Sequence, residues 1–191
     1  MPTRDGPRHC GGRIGDGAAV THATERTAAS APYDGAGYSY SAEALAAAGV
    51  RPGGAVASGG TTFIWPDAAS GQHDTVTAAG QVIQLSGQGS TLSFLGSGTF
   101  GTQGGTITIT YTDGSTSSGK ITYADWCAGA AASGSTLVTT TAYRNYTGGK
   151  QANPLRAYLY AASIPLTAGK DIKSVTMPVN SNLHFFAVTA S

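Results

Sequence analysis

The sequence is short of charge and of long apolar runs, and each shortage excludes a class of protein. Charged residues make up 11% of the 191 residues, and the formal net charge is only +1. Such a chain has no field with which to attract a nucleic acid or an anionic membrane. No apolar run approaches the roughly 18 residues that a membrane-spanning helix needs. We therefore expect neither a nucleic acid nor a membrane as a partner.

Cysteine is also scarce. The two cysteines, Cys10 and Cys127, could form at most one disulfide, and the pairing stays open because Cys10 lies in a segment with few apolar residues. His9 and Cys10 are two metal-ligating residue types side by side, but two ligands in a loosely attached arm do not make a metal site.

The first 30 residues lack large apolar side chains and carry several arginines and glycines. Such a segment buries too little surface to offset the entropy of ordering it, so residues 1–30 are predicted to be a disordered or loosely attached arm. They also lack the apolar middle of a signal peptide. We expect a secreted, extracellular protein whose export signal has been lost or replaced, or a fragment of a longer secreted chain.

What the sequence has in quantity is glycine, with 28 residues, together with threonine, valine and tyrosine. Glycine favours tight turns and the other three favour strands. One short helix is predicted over residues 42–48, with Ser41 as its N-cap and Gly49 after its end. The remainder of residues 31–191 is predicted to be a single β domain.

The clearest strand is Thr106–Tyr111, in which polar and apolar residues alternate. It runs into Asp113-Gly114, a strong signal for a β-hairpin. About nine strands at such spacing are typical of an all-β, two-sheet β-sandwich of jelly-roll type. The predicted strands are 61–65, 81–85, 91–95, 106–111, 119–123, 137–143, 156–164, 173–177 and 183–189.

Several phrases of the sequence match a known family of domains. They include Tyr33-Asp-Gly-Ala-Gly-Tyr-Ser-Tyr-Ser41, Phe63-Ile-Trp-Pro-Asp67, Asp125-Trp126, Tyr143-Arg-Asn145 and His184-Phe-Phe-Ala187. Together they resemble the C-terminal accessory β-sandwich of actinobacterial secreted glycoside hydrolases, including some α-mannosidases and fucosidases. The resemblance implies a galactose-binding-like jelly roll and a catalytic glycosidase domain as a partner.

Carbohydrate recognition needs aromatic rings for the apolar face of a sugar and planar polar groups for its hydroxyls. Two segments combine both residue types, and they are the predicted glycan-binding residues. These are Tyr143, Arg144, Asn145 and Tyr146, at the end of a strand and in the polar loop after it, and Asp125 with Trp126. Tyr38, Tyr40 and Trp65 are further aromatic candidates, although Trp65 is predicted to lie in the core.

No catalytic residues are predicted. Hydrolysis of a glycoside requires two converging carboxylates, and Asp67 and Asp113 are explained by turns. No cofactor is expected except a structural calcium ion, with Asp34 as a candidate ligand. The favoured function is a non-catalytic carbohydrate-binding or accessory module of a secreted glycoside hydrolase. The alternative is a structural β-sandwich without a ligand, and an autonomous glycosidase is the third hypothesis.

Overall fold

The computed structural model describes residues 22–23, 33–69, 72–147, 149–150 and 155–191. In these residues it has one helix, α1 (Ala42–Ala47), and fifteen strands. The strands are β1 (His22–Ala23), β2 (Tyr38–Ser41), β3 (Ala55–Ser58), β4 (Thr61–Ile64), β5 (Val76–Ala79), β6 (Val82–Gly87), β7 (Thr91–Gly98), β8 (Gln103–Tyr111), β9 (Thr116–Tyr123), β10 (Ser135–Thr140), β11 (Arg144–Tyr146), β12 (Gly149–Lys150), β13 (Tyr158–Pro165), β14 (Ile172–Thr176) and β15 (Val179–Ala190).

The strands form three sheets and a separate hairpin. The central sheet has the strand order β10-β13-β7-β15-β5, and the back sheet has the order β6-β14-β8-β9. The front sheet has the order β1-β2-β11-β12, and β3 and β4 form a two-stranded sheet. The prediction of a β-sandwich is therefore confirmed, whereas the finer jelly-roll topology stays a prediction.

The back sheet packs on the central sheet through what we call the inter-sheet core. Apolar residues alternate along the strands that supply it, as in β8, where Ile107, Ile109 and Tyr111 are buried between more exposed threonines. Phe94 and Phe185 from the central sheet complete the centre of this cluster, with their rings 5.6 Å apart. Alternation of this kind is what one buried face of a sheet requires.

The opposite face of the central sheet is covered as well. Leu95, Leu159 and Phe186 point to this side and pack with residues from the front sheet, α1 and the β3–β4 hairpin. We call this cluster the outer core, and its largest members are Trp65 and Trp126. Because the central sheet is buried on both faces, β7 is buried along almost its whole length.

Local signals place the helix and the main hairpin where the sequence predicts them. The Ser41 hydroxyl accepts a hydrogen bond from the Ala44 amide at 3.2 Å, which caps α1. β8 and β9 form an antiparallel pair in which Thr110 faces Thr116. In the turn between them, Gly114 has φ 83°, a conformation that glycine adopts without strain.

The predicted arm, residues 1–30, lies outside the described residues apart from β1, which pairs in parallel with β2. The open question of a Cys10–Cys127 disulfide also lies outside them, because Cys10 is not described. In the part of the chain that the structure describes, no helix is both long and apolar enough to cross a membrane.

Candidate functional site

Three residues of the segment with the strongest binding prediction form a strand, so the prediction that residues 144–146 lie in a polar loop is wrong. β11 (Arg144–Tyr146) pairs antiparallel with β2, with Arg144 opposite Tyr40 and Tyr146 opposite Tyr38. The pairing satisfies backbone groups that would otherwise be left at the edge of β2. Arg144 and Asn145 are consequently buried rather than displayed in a loop.

Arg144 is the centre of a cluster of aromatic and polar side chains. Its guanidinium carbon lies 4.1 Å from the centre of the Tyr38 ring and 5.4 Å from that of Trp126. One guanidinium nitrogen also donates a hydrogen bond to Cys127 Sγ at 2.8 Å. A guanidinium is attracted to aromatic faces and its apolar stem packs well, so these contacts explain how the charge is accommodated below the surface.

Tyr146 and Tyr38 form an aromatic pair at the margin of the front sheet. Their ring centres are 6.4 Å apart and their planes are inclined by 37°. Tyr146 is 40% exposed, and Tyr38 is half-buried. Tyr143 is also half-buried. Of the predicted binding residues, Tyr146 is thus the one whose side chain is most open to solvent.

Asp125 holds the loops around it. Its Oδ2 accepts a hydrogen bond from the Gly101 amide at 2.6 Å, and its Oδ1 accepts one from the Cys127 amide at 2.9 Å. Phe100, next to Gly101, has φ 58°, which is unusual for a residue with a side chain. Both carboxylate oxygens therefore accept hydrogen bonds from backbone amides, and the side chain is almost completely buried.

Trp126 and Tyr40 lie in the outer core with no exposed surface. The Trp126 ring is 5.0 Å from the rings of both Tyr33 and Tyr40. Trp65 is also buried, as its sequence context predicts, and stacks on Phe186 at 4.7 Å. These large rings fill the space between the front and central sheets, where they contribute to folding through burial.

Asp34, the candidate calcium ligand, is buried close to Arg144. Its Oδ1 accepts hydrogen bonds from the amides of Ala36 and Tyr38, at 2.8 and 3.1 Å. Burial raises the pKa of its carboxyl, although these amides and the charge of Arg144 act in the opposite direction. Among the described residues, no group of three or more His, Cys, Asp or Glu side chains could hold a metal ion, so the calcium role of Asp34 stays a prediction.

Two neighbouring sets of hydroxyl and imidazole groups lie in and beside the outer core, all buried except the half-buried Thr77, and sequence reasoning missed them. Ser97 bonds to the hydroxyls of Tyr33 and Tyr40, at 2.5 and 3.2 Å. Beside them, the ring nitrogens of His184 lie 3.3 Å from the hydroxyls of Thr77 and Thr99. Burial lowers the pKa of His184 from 6.5 to about 4, so the ring is neutral at pH 7.

No sequence signal connects these groups, because the contacts join residues far apart in the chain. The signal that was available is composition: polar residues within β7 and β15, strands that otherwise carry large apolar side chains, indicate buried polar contacts. Each of these hydroxyls has a hydrogen-bonding partner, as buried polar groups require.

Comparison with known proteins gives a family but no activity. No curated protein matches the chain. The family model for the AziU2-like β-sandwich domain matches residues 16–191, so the match begins inside the segment that composition assigns to the arm. Its description agrees with the layers of strands observed here. The match covers most of the chain, which therefore belongs to the family of AziU2-like β-sandwich domains.

Proposed function

We propose that the chain is a non-catalytic binding module that recognises a carbohydrate at the pair formed by Tyr38 and Tyr146. The observation that carries the proposal is the exposure of Tyr146 beside the half-buried Tyr38, with ring centres 6.4 Å apart. An exposed aromatic ring can pack against the apolar C–H face of a pyranose. The Tyr146 hydroxyl can exchange hydrogen bonds with sugar hydroxyls.

The cluster beneath the pair supports this role because it fixes the position of Tyr38. The Arg144 guanidinium lies against that ring at 4.1 Å, and β2 and β11 hold both tyrosines in register. A binding surface that is rigid before the ligand arrives loses less conformational entropy on binding. In this proposal Arg144, Asn145, Asp125 and Trp126 position the surface from below, and Tyr146 contacts the ligand.

The proposed absence of catalysis is supported by the hydrogen bonds of two buried carboxylates, Asp125 and Asp34. Both oxygens of Asp125 accept hydrogen bonds from backbone amides. One oxygen of Asp34 does the same for the turn before β2. Carboxylates committed to loop amides are poorly placed to protonate or attack a glycosidic bond.

The wider context belongs to the same proposal. The resemblance of the sequence to accessory domains of glycoside hydrolases suggests that the module assists a secreted hydrolase in engaging its glycan. A calcium ion at Asp34 would then be a structural addition, since the carboxylate lies in the turn that leads into β2 and hence to Tyr38.

A glycan array and a polysaccharide pull-down with the full chain test the proposal. Tyr146→Ala is the informative variant, because the side chain is exposed and its loss leaves the core intact. Leu137→Ala is the matched control, since Leu137 is equally exposed, at 40%, on β10 of another sheet. We expect binding to a defined glycan that Tyr146→Ala reduces at least tenfold and Leu137→Ala leaves unchanged. Repeating the assay with EDTA tests the calcium ion.

The competing function is a structural β-sandwich without a ligand. One observation favours it: both tryptophans and most of the tyrosines are buried, so little aromatic surface remains for a sugar. Failure of the folded protein to bind any glycan would support this alternative and overturn the carbohydrate proposal. Binding that is unaffected by Tyr146→Ala would also overturn the assigned surface.

A further inference from the structure

A second feature of the molecule is a pocket between the central and back sheets, which differs in chemistry from the tyrosine pair. It has a volume of about 190 Å³ and is lined by side chains of β5, β6, β7, β14 and β15 and by Met177, which follows β14. All ten lining residues are apolar. Its floor consists of buried residues of the inter-sheet core, among them Phe94, Val175 and Phe185. Its margin includes Val76, which is 37% exposed.

The strand pairing explains why this side of the sandwich is open. β5 pairs with β15 from Val179 to Phe185, and its pairing begins with Val76 opposite Phe185. In the described part of the chain, no strand extends the pairing of β15 with β5 past Phe185, although the Thr189 hydroxyl donates a hydrogen bond to the Thr62 carbonyl of β4. The pairing of β15 with β7 also shifts its register between Phe185 and Ala187, which interrupts the regular ladder of β15 at this point. Val188, on the inter-sheet side of β15, therefore lies across this gap from the half-buried residues of β6, and Ala187, which packs on the outer core, also borders the pocket.

The lining residues of β6 show the same arrangement from the other sheet. Ile83 and Leu85 line the pocket and are only half-buried, while Val82, Gln84 and Ser86 between and beside them are exposed. Because the half-buried Ile83 and Leu85 stand at the edge of fully buried residues of the inter-sheet core, the site is concave rather than a flat patch. Such concave, mostly apolar sites are where proteins bind small molecules.

From this geometry we infer that the gap between β5, β15 and β6 is a binding pocket for a small uncharged hydrocarbon group, either an aromatic ring or a short alkyl chain. The volume of the pocket limits the size of the ligand. An apolar protein cavity of about 150 Å³ stays dry and binds benzene, and this pocket is somewhat larger. The lining limits the chemistry of the ligand, because none of the described side chains that line the pocket is polar enough to receive a hydroxyl or a charge. A free sugar does not fit these requirements, so the inference does not depend on the carbohydrate proposal.

The occupant is a small molecule rather than a segment of protein, because the pocket reaches buried core residues through a gap between only two edge strands. Burial of one hydrocarbon ring or chain there removes apolar surface from water on both the ligand and the pocket wall. The polar end of an amphiphilic ligand would remain at the margin near Val76.

Toluene and hexan-1-ol are suitable probes of the two ligand shapes. They are titrated into the full-length, isotope-labelled protein and followed by the methyl and amide NMR signals of the pocket residues, with glucose as a polar control. We expect saturable shifts for at least one hydrocarbon probe, concentrated at Val76, Ile83, Leu85 and Val188, and no such shifts with glucose. Absence of saturable shifts at these residues with both probes would overturn the inference.

Variants that close the pocket make the test specific. Val76→Trp places a large ring at the margin, and Leu137→Trp is the matched control, because Leu137 has similar exposure on the opposite edge strand of the same sheet. We expect at least a tenfold loss of probe affinity in Val76→Trp and none in Leu137→Trp. Ile83→Phe narrows the pocket from the back sheet and should have the same effect, so the test stands even if one variant does not fold.

Two further results would also count against the inference. Equal affinity in the closing variants and the control would place the probe elsewhere. Pocket signals that respond to protein concentration instead of probe would mean that another copy of the chain occupies the gap. The Tyr146→Ala variant should bind the hydrocarbon probes normally, which separates failure of this inference from failure of the proposed carbohydrate function.

Discussion

The inter-sheet core and the outer core use opposite faces of the same central sheet but differ in chemistry. Between the central and back sheets, isoleucine, valine and phenylalanine alternate with outward-facing threonine and serine. On the other face lie the buried ionisable groups Asp34, Arg144 and His184, packed among large aromatic rings. The first arrangement follows from local alternation, whereas the second depends on contacts between distant segments. Because both cores pack on the central sheet, we expect this sheet to couple the unfolding of the two cores.

Trp126→Ala is expected to have the largest effect, with a loss of about 3–5 kcal/mol in the free energy of unfolding, as for other buried aromatic truncations. The reason is the cavity left between Tyr33 and Tyr40. Because the two cores share the central sheet, we expect one transition in urea. Far-UV circular dichroism follows the strands, and the fluorescence of Trp65 follows the outer core.

Phe94→Ala is the control from the inter-sheet core, and it should lower the unfolding free energy by a similar amount. If Trp65 fluorescence in Trp126→Ala changes at much lower urea concentration than the circular dichroism, the outer core unfolds as a separate unit. The two faces would then be independent layers rather than parts of one cooperative fold.

Acid should weaken the protein through the outer core. Burial lowers the pKa of His184 from 6.5 to about 4, so between these values the unfolded chain binds a proton that the folded chain does not. The contribution of His184 to stability is complete above about pH 6.5 and is lost as the pH falls toward 4, up to about 3 kcal/mol. Asp34 acts in the opposite sense, because its raised pKa favours the folded state at lower pH.

His184→Gln isolates this contribution, since glutamine can bond to Thr77 and Thr99 but does not titrate. Urea unfolding of both proteins between pH 4 and pH 7 gives the difference in stability, in which the effect of Asp34 largely cancels. We expect the difference to shrink or reverse as the pH falls. A difference that is constant across the range would show that His184 titrates alike in the folded and unfolded chains.

The contrast between the cores also explains how much could be predicted from the sequence. The alternation in Thr106–Tyr111, the Asp113-Gly114 turn and the Ser41 cap predict the hairpin and the helix correctly, because each is decided by residues close in sequence. The strand β11 was predicted to be a loop. Its three residues carry too little pattern, and its conformation is imposed by pairing with β2, more than a hundred residues earlier.

The predicted site was harder for the same reason. Arg144 and Tyr146 lie together with Tyr38, whereas the binding role of these residues stays a prediction. The sequence could not distinguish the buried Trp126 and Asp125 from exposed residues, because their burial results from packing of the front sheet on the central one. The apolar pocket had no local signal either, since it results from where β5 begins along β15.

Asp125→Ala should cost less than the loss of Trp126, about 2–3 kcal/mol in unfolding free energy. The variant removes two hydrogen bonds from a buried carboxylate and leaves the amides of Gly101 and Cys127 without these partners. Asp125→Asn retains an acceptor oxygen and should lose less. Chemical denaturation measures both, and equal stability of Asp125→Ala and the wild type would mean that the loop does not need its carboxylate.

Asp113→Ala should have the smallest effect, although the carboxylate of Asp113, like that of Asp125, accepts two hydrogen bonds from protein groups. Its carboxylate accepts hydrogen bonds from the Ser115 amide and hydroxyl, and Lys170 Nζ lies 2.8 Å from Oδ2. The contact with Lys170 and the bonds from Ser115 hold the pKa of this carboxyl well below its usual range. The side chain is solvent-exposed, however, and water and salt screen such pairs.

We therefore expect no measurable change in the urea midpoint of Asp113→Ala at physiological salt, while Lys170→Ala raises the pKa of Asp113 in an NMR titration. Both results together would show that a shifted pKa at the surface reports a local contact and not stability of the fold. A loss as large as that in Asp125→Ala would contradict the contrast, because the turn between β8 and β9 would then matter as much as the buried loops of the outer core.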